Sequence, residues 1–276
     1  MVLLVVRPAK NSLFSIIIPT YDEVRNIDRM IIRLLELYPG VKVLVLDDNS
    51  KDGTIEAVTA LEASKKDVSL VIRDPGDRGL TAAVMDGIAR TTTPYYIVMD
   101  ADFQHPPETL AEIMAALEGG ADMVIGKREH KEALNWKRRT SSDAAQFLAH
   151  TYLRMHRQPH PDDIMSGLFG ARTDMSQKIV TENGILFEKK GFKVLFDLLK
   201  FVPRDITVAE VHYQFGDRAD GESKLSSTII TSILRQCGLP GKCVAYVADR
   251  VFLKRSGQVV LLTLVALMGV IMIILS

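Results

Sequence analysis

Apolar and polar residues alternate in a regular order along the first half of the chain. Short apolar runs bounded by turn residues predict buried strands over 14–18, 41–46, 68–72, 95–99 and 122–126. Between these runs, apolar residues recur at helical spacing and predict helices over 26–38, 54–61, 79–89 and 108–117. We expect Pro19 to end the first strand. This order is typical of an α/β domain with a mostly parallel sheet covered by helices.

The second half of the chain has a less regular pattern. It predicts helices over 141–155 and near 192–201, and a strand near 207–214. Residues 225–255 form amphipathic, partly apolar segments broken by Pro240-Gly241, and we interpret them as helices that lie on a membrane surface.

The C-terminal segment has the composition of a membrane span. Residues 256–276 carry no charge, and 259–275 are nearly all aliphatic, whereas a spanning helix needs about 17–25 apolar residues. A buried core helix is the alternative. Arg250, Lys254 and Arg255 precede the segment, which predicts that the N-terminal bulk lies on the cytoplasmic side. Residues 1–6 are too short for a signal-peptide core. The expected organisation is a tail over 1–12, an α/β domain over 13–226, interface helices over 227–256 and one transmembrane helix over 257–276.

Charge and cysteine content exclude some classes of function. Lys plus Arg and Asp plus Glu each number 34, so no net field draws the 276-residue chain to nucleic acid. Cys237 and Cys243 lack metal-site spacing, which favours a reduced compartment in which both thiols are packed or line a membrane-proximal helix.

Acidic residues follow three of the predicted strands. Asp100 and Asp102 come directly after the run 95–99, Asp48 follows the second strand, and Glu23 follows the first. Parallel strands end at one edge of a sheet, where such folds bind ligands. One or two carboxylates there can hold a divalent cation against diphosphate oxygens. The alternatives are an N-cap of the second helix for Asp48 and a solvated turn for Glu23.

The sequence lacks the known glycine-rich phosphate-binding loops and the nucleophile motif of hydrolases. It has no Gly-x-Gly-x-x-Gly after the first strand, no Gly-x-x-x-x-Gly-Lys-Ser/Thr and no Gly-x-Ser-x-Gly. A nucleotide would therefore be held by a metal and by side chains.

Any single arginine could lie on a solvated face, but Arg218 and Lys224 stand in a glycine-flanked loop before the membrane-associated segment, where an anionic lipid would need cations.

An ordered set of motifs continues from these acids along residues 13–226. The motifs are Ile-Pro-Thr-Tyr-Asp-Glu at 18–23, Asp-Asp-Asn-Ser-Lys-Asp-Gly-Thr at 47–54, Gly-Leu at 79–80, Met-Asp-Ala-Asp-Phe-Gln-His-Pro-Pro-Glu at 99–108, Met-Ser-Gly at 165–167, Gly-Phe-Lys at 191–193 and Gly-Glu-Ser-Lys-Leu at 221–225. The set resembles the family-2 glycosyltransferases of the GT-A (nucleotide-diphospho-sugar transferase) fold, and more narrowly the dolichol-phosphate mannosyltransferases. Phe103 stands where that family more often has Leu, and the chain resembles the members with a single C-terminal anchor.

The resemblance implies a donor, an acceptor and a set of site residues. The donor would be GDP-mannose and the acceptor dolichyl or another polyprenyl phosphate at a lipid bilayer. By motif, Pro19, Tyr21, Glu23 and Asp48 would contact guanosine, Asp100 and Ala101 would line the donor pocket, and Asp102 and Gln104 would hold Mg²⁺ or Mn²⁺. Arg128 and Lys193 would contact the donor phosphates, and Arg139, Arg218 and Lys224 the acceptor phosphate. Asp102, Arg218 and Lys224 would carry the reaction.

The expected reaction is a single displacement with inversion, giving a β-linked mannosyl phosphate lipid. A lipid phosphate is already largely ionised, since its second pKa is about 6, so no strong general base is required. A polyprenyl-phosphate glucosyl- or other hexosyltransferase is the alternative within the family. A processive polysaccharide synthase is disfavoured because Gln-x-x-Arg-Trp is absent. A membrane-anchored binding protein without activity is the alternative from another class.

The expected location is the endoplasmic reticulum membrane, with a cytosolic catalytic domain, or else an archaeal cell membrane. The sequence leaves separate membrane subunits and self-association open.

Overall fold

The computed structural model describes residues 10–129, 136–189, 193–216 and 233–237. In these residues seven strands form one sheet, in the order β3-β2-β1-β4-β6-β5-β7. The strands are β1 Phe14–Thr20, β2 Lys42–Asp47, β3 Val68–Ile72, β4 Tyr95–Val98, β5 Met123–Glu129, β6 Phe169–Arg172 and β7 Val208–Gln214.

Helices cover both faces of this sheet. They are α1 Ile27–Leu37, α2 Thr54–Ser64, α3 Leu80–Arg90, α4 Leu110–Glu118, α5 Trp136–Met155, α6 Thr173–Asn183 and α7 Val194–Leu199. The helix α1 shows why the pattern folds in this way, because Ile27, Met30, Ile31 and Leu34 form one apolar stripe and are all buried.

Most strand pairs are parallel, as the sequence predicts. Strand β1 pairs in parallel with β2 and β4, β2 with β3, and β5 with β7. Only β6 runs against its neighbours β4 and β5. The carboxyl ends of β1, β2 and β4 therefore meet at one edge of the sheet.

The core lies on both faces of the sheet. All seven residues of β1 are buried, and its alternate side chains enter two separate apolar clusters, Ile17 on one face and Ile16 and Ile18 on the other. A strand with helices on both sides is apolar at successive positions, and for this reason 14–18 reads as a continuous run.

The prediction that Pro19 ends β1 is wrong, because the strand continues to Thr20 and Pro19 pairs with Leu46 of β2. The carbonyl of Ile17 accepts a hydrogen bond from the Met99 N–H, on the side of β4. Residues two apart in a strand have the same orientation, so the backbone groups of Pro19 point to this side too. The Pro19 nitrogen thus faces the β4 side after the pairing there has ended, so its missing N–H costs no ladder hydrogen bond.

The sequence pattern predicts no element over 169–183, where the structure has β6 and α6. The predicted helix at 141–155 also begins earlier, at Trp136. Strand β6 has four residues and contains a glycine, which gives periodicity little to detect.

Among the described residues, no helix is both long enough and apolar enough to cross a membrane. The predicted span over 257–276 and most of the predicted interface segment over 227–256 lie outside them. Of that segment, 233–237 is described, and Ile233, Leu234 and Cys237 pack in the core of the α/β domain.

Candidate active site

The acids named by the sequence analysis do lie at one edge of the sheet. Glu23, Asp48 and Asp100 follow β1, β2 and β4, which are neighbours in the sheet. The loops there have unusual backbone geometry. Of the four described non-glycine residues with positive φ, three lie in these loops, namely Asp22, Asn49 and Phe103, with φ of 55°, 62° and 61°. Such conformations cost free energy and cluster at functional sites.

Asp48 is buried and bonded on both carboxylate oxygens. One oxygen pairs with the guanidinium of Arg73, and the other accepts the Gly79 N–H at 2.9 Å. Arg73 also lies 3.4 Å from Asp77 and 3.7 Å from Asp86. The N-cap interpretation of Asp48 is wrong, because Gly53 precedes α2 without a side-chain cap. Asp48 instead joins the end of β2 to the start of α3.

Tyr21 forms an exposed aromatic surface beside Asp48. The guanidinium carbon of Arg78 lies 4.5 Å from the centre of the Tyr21 ring. The same guanidinium donates to the carbonyls of Asp48 at 2.9 Å and Asn49 at 3.1 Å. Arg78 therefore connects the loops that follow β1 and β2.

Pro19 and Glu23 lie before and after Tyr21. Pro19 is buried within β1. The Glu23 carbonyl accepts from the N–H groups of Asn26 and Ile27, and its carboxylate accepts from Asn26 Nδ2 at 3.3 Å. Glu23 thus forms the turn into α1, which agrees with the turn interpretation; contact with a nucleotide stays a prediction.

Asp100 is held from the opposite edge of the sheet. Its Oδ2 lies 3.4 Å from His105 Nε2, and His105 Nδ1 lies 2.7 Å from the Tyr213 hydroxyl of β7. His105 is 3% exposed, whereas the Asp100 side chain is 44% exposed. A Cβ on Gly167 would lie 3.1 Å from Asp100 Oδ2, so glycine in the Met-Ser-Gly motif leaves room for this carboxylate.

Asp102 and Gln104 form a tight turn after β4. Asp102 is buried and accepts the Gln104 backbone N–H at 3.1 Å, while Gln104 Nε2 lies 3.5 Å from the Gly216 carbonyl. Ala101 between the acids is buried. In the described part of the chain, no group of three or more His, Cys, Asp and Glu side chains could hold a metal. Two carboxylates and an amide oxygen nevertheless fit Mg²⁺ or Mn²⁺, which bind few protein ligands when substrate phosphate supplies others.

Arg128 lies on the far side of this acidic loop. It forms a bidentate pair with the buried Asp163, with distances of 2.7 Å from Nε and 2.8 Å from Nη2. Burial alone would lower the pKa of Arg128, but the hydrogen bonds and charge of Asp163 raise it above its ordinary value. Arg128 therefore remains a fixed cation, and the Phe215 ring lies 5.5 Å from its guanidinium carbon.

Lys193 adds a second cation to the same region. Its Nζ donates to the Met165 carbonyl at 2.7 Å. Burial and the nearby charge of Arg128 lower the pKa of Lys193 to about 8, against the opposing effects of Asp100 and Asp163. The structure thus brings Lys193, Arg128 and Asp100 within electrostatic range of one another.

The side chains predicted to bind the acceptor phosphate lie outside the described part of the structure. Arg218 and Lys224 lie outside them, and Arg139 is in α5 with its side chain outside them.

Several contributors to the site were missed. Four residues contact the acids and cations of the site, namely Arg73, Arg78, Asp163 and Tyr213. They were missed because each of them is distant in the sequence from the residue that it contacts. The one available signal was the Asp162-Asp163 pair before Met-Ser-Gly.

The comparisons with known proteins agree with this geometry. Residues 15–180 match the family described as Glycosyl transferase family 2, which covers more than half of the chain. The chain belongs to glycosyl transferase family 2. It is therefore a glycosyltransferase, and the expected α/β fold with a mostly parallel sheet and the expected enzyme class are confirmed, whereas the membrane-interface helices and the transmembrane helix stay predictions.

Within this family, the chain is similar to enzymes named as mannosyltransferases or phosphomannose synthases. The dolichol-phosphate mannosyltransferase of Saccharomyces cerevisiae is 33% identical over 81% of this chain and 85% of its own length. The protein of that name from Pyrococcus furiosus is 35% identical over 80% of this chain, and the match spans 61% of the relative. The polyprenol monophosphomannose synthase of Mycolicibacterium smegmatis is 31% identical over 82% of this chain and 84% of its own length. The resemblance to dolichol-phosphate mannosyltransferases is thus confirmed.

Solved structures show the same fold. Glucosyl-3-phosphoglycerate synthase of Mycobacterium tuberculosis matches 82% of this family-2 chain and 80% of its own, with a TM-score of 0.57 and 20% identity. Mannosyl-3-phosphoglycerate synthase of Rubrobacter xylanophilus matches 88% of this chain and 77% of its own, with a TM-score of 0.53 and 15% identity. At such identities the likeness concerns the fold alone.

Proposed function

We propose that this glycosyltransferase transfers mannose from GDP-mannose to the phosphate of dolichol or another polyprenol, giving a β-linked mannosyl phosphate lipid and GDP. The observation that carries the proposal is the set of acids at the ends of β1, β2 and β4, of which Asp100 lies within electrostatic range of Arg128 and Lys193. The names of the relatives supply the sugar and the acceptor.

The nucleoside would bind between the loops after β1 and β2. Tyr21 offers a ring face beside Asp48, and Arg78 holds the two loops together. The Asp48 carboxylate is already bonded by Arg73 and Gly79, so it would contribute a fixed wall of the guanosine pocket and no free charge.

The diphosphate would lie between the acidic loop and the two cations. Arg128 is held in place by Asp163, and Lys193 by the Met165 carbonyl, so neither cation must reorganise when charge develops on the leaving group. A divalent ion held by Asp102 and Gln104, with Asp100 beside them, would neutralise charge on the diphosphate. Crystals of a distant structural neighbour that contain Mn²⁺ are consistent with this choice of ion.

The reaction would be one displacement at the anomeric carbon. A phosphate oxygen of the lipid forms the new bond, while the bond to the β-phosphate oxygen of GDP breaks and GDP leaves with the electron pair. Because the attacking oxygen already carries charge, the residues serve to position two anions. Arg218 and Lys224, with Arg139, are the proposed cations for the acceptor phosphate.

Location at a membrane follows from the acceptor. A polyprenyl phosphate keeps its headgroup at the bilayer surface, so the catalytic domain must reach that surface. The apolar segment over 257–276 would hold the domain there, with the domain in the cytosol at the endoplasmic reticulum or on the inner side of an archaeal cell membrane.

A transfer assay tests the proposal. Purified full-length protein in lipid vesicles is given labelled GDP-mannose and short polyprenyl phosphate, with Mg²⁺ or with a chelator. We expect metal-dependent formation of an alkali-stable β-linked lipid product, and no competition from UDP-glucose. Transfer from UDP-glucose instead would favour the glucosyl alternative, and a trapped covalent mannosyl-enzyme would exclude the single displacement.

A further inference from the structure

A buried polar cluster joins residues 233–237 to helix α7. Gln236, 3% exposed, donates from Nε2 to Asp197 Oδ2 at 2.6 Å and to the Lys193 carbonyl at 3.1 Å. In return, Lys200 Nζ donates to the Gln236 carbonyl at 2.9 Å. One glutamine thus contacts the first residue before α7 and bonds to groups in the middle and at the end of that helix.

The cluster is an ion pair closed off from water. Asp197 is fully buried, and its Oδ1 lies 2.5 Å from Lys200 Nζ, whose side chain is 6% exposed. Lys200 also lies between the rings of Phe196 and Phe201, at 5.5 and 5.6 Å. A buried pair of this kind is weak evidence for stability, and each hydrogen bond to it offsets part of the cost of burying its charges. Gln236 supplies part of that bonding.

Three of the other four residues of the segment are apolar and buried, and the fourth, Arg235, is half-buried. Ile233 and Leu234 are fully buried and Cys237 is 3% exposed. Gln236 is the buried polar side chain of 233–237, and burying its amide is unfavourable without hydrogen bonds. The amide nitrogen of Gln236 donates to Asp197 of α7 and to the carbonyl of Lys193. Lys193 is also the residue whose ammonium group lies near Arg128 and Asp100.

We propose that Gln236 is a positioning residue, which fixes the backbone of Lys193 through its side-chain amide and thereby couples the segment leading to the C-terminal apolar stretch to the diphosphate pocket. The structure itself shows the hydrogen bonds that connect 233–237 to α7 and its flanking residues. Its effect on donor binding rests on the proposed function, since it requires Lys193 to contact the donor phosphates.

Two glutamines allow a matched comparison. Gln236→Met removes, at similar volume, the hydrogen bonds to the Lys193 carbonyl and to Asp197. Gln158→Met removes a comparable bond to the other end of α7, where Gln158 Nε2 donates to the Lys200 carbonyl at 3.1 Å. Full-length wild type and both variants are compared in vesicles by hydrogen exchange and by calorimetric titration with GDP and Mg²⁺.

The Gln236→Met variant should lose protection over both 193–199 and 233–237, and its Kd for GDP should rise about 3- to 10-fold. The Gln158→Met variant should lose protection only near residue 200 and bind GDP as wild type does. Unchanged exchange at 193–199 in Gln236→Met would overturn the inference, as would equal losses of GDP affinity in both variants.

A second variant covers the case in which Gln236→Met does not fold. Gln236→Asn keeps the amide with a shorter reach, and the same criteria apply to it. If wild-type protein does not bind GDP, the proposed function fails, and the exchange at 193–199 alone then decides whether Gln236 holds α7.

Discussion

The pH dependence of donor use should be set by Lys193. Burial beside Arg128 lowers the pKa of Lys193 to about 8, from an ordinary value of 10.5. Its ammonium group would then be about nine-tenths charged at pH 7 and about one-tenth charged at pH 9. If the charged form contacts the diphosphate, kcat/KM for GDP-mannose should fall about tenfold per pH unit above 8.

Substitution separates this titration from other alkaline effects. Lys193→Arg keeps a cation that does not titrate below pH 12, so the decline above pH 8 should disappear even if the plateau is lower. Lys193→Met removes the charge, and loss of one charged hydrogen bond of about 1.5–3 kcal/mol predicts a kcat/KM about 10- to 150-fold lower at pH 7.

Stability should respond to pH in the opposite direction to activity. Between pH 8 and 10.5 the unfolded chain retains the Lys193 proton that the folded protein has released, so this residue makes folding more favourable as pH rises through that window. The assay is kcat/KM from pH 6 to 10 with Mg²⁺, paired with urea unfolding at each pH. The reasoning is refuted if Lys193→Arg keeps the same alkaline decline as wild type.

Three further substitutions test other parts of the site. Asp102→Asn should lower kcat by about 10²–10³-fold without unfolding the protein, and added Mn²⁺ should restore little; activity across a metal titration with circular dichroism checks this. Asp163→Asn leaves the buried Arg128 charge poorly compensated, at a cost of about 2 kcal/mol, so thermal unfolding should show a Tm about 4–8 °C lower. Tyr213→Phe removes the hydrogen bond to His105 and should reduce kcat about tenfold with KM for GDP-mannose nearly unchanged, and an unchanged kcat would show that His105 needs no second partner.

The first half of the fold was predictable because each strand there is a separate apolar run. Strand β3 was predicted with its observed bounds, Val68–Ile72, and α1 differs by one residue at each end. Strand β6 was missed because an antiparallel strand of four residues that passes directly into α6 has neither length nor alternation. Its neighbour α6 has polar residues on most faces, and only Thr173, Ser176 and Ile179 are buried.

The acids of the site were predictable, but the groups that hold them were not. Local sequence places Asp100 at a strand end, and the rule for parallel sheets puts Asp48 at the same edge. Nothing local indicates that Tyr213, 108 residues after His105, completes the contact with Asp100. These pairings depend on strand order, and β7 lies at the far edge of the sheet.

The way in which charge is compensated explains why a divalent ion is expected at this site. Asp48 pairs with the buried Arg73 and Asp163 with the half-buried Arg128, so the charges of both acids are neutralised within the fold. Asp100 is 44% exposed, lies 3.4 Å from His105 and is also within electrostatic range of Arg128 and Lys193. A diphosphate brought to Asp100 and Asp102 would therefore meet negative charge on one side and the fixed cations Arg128 and Lys193 on the other. On the proposed function, a cation between the carboxylates and the diphosphate removes that repulsion, so a chelator should weaken GDP binding more strongly than it weakens binding of guanosine, which carries no phosphate.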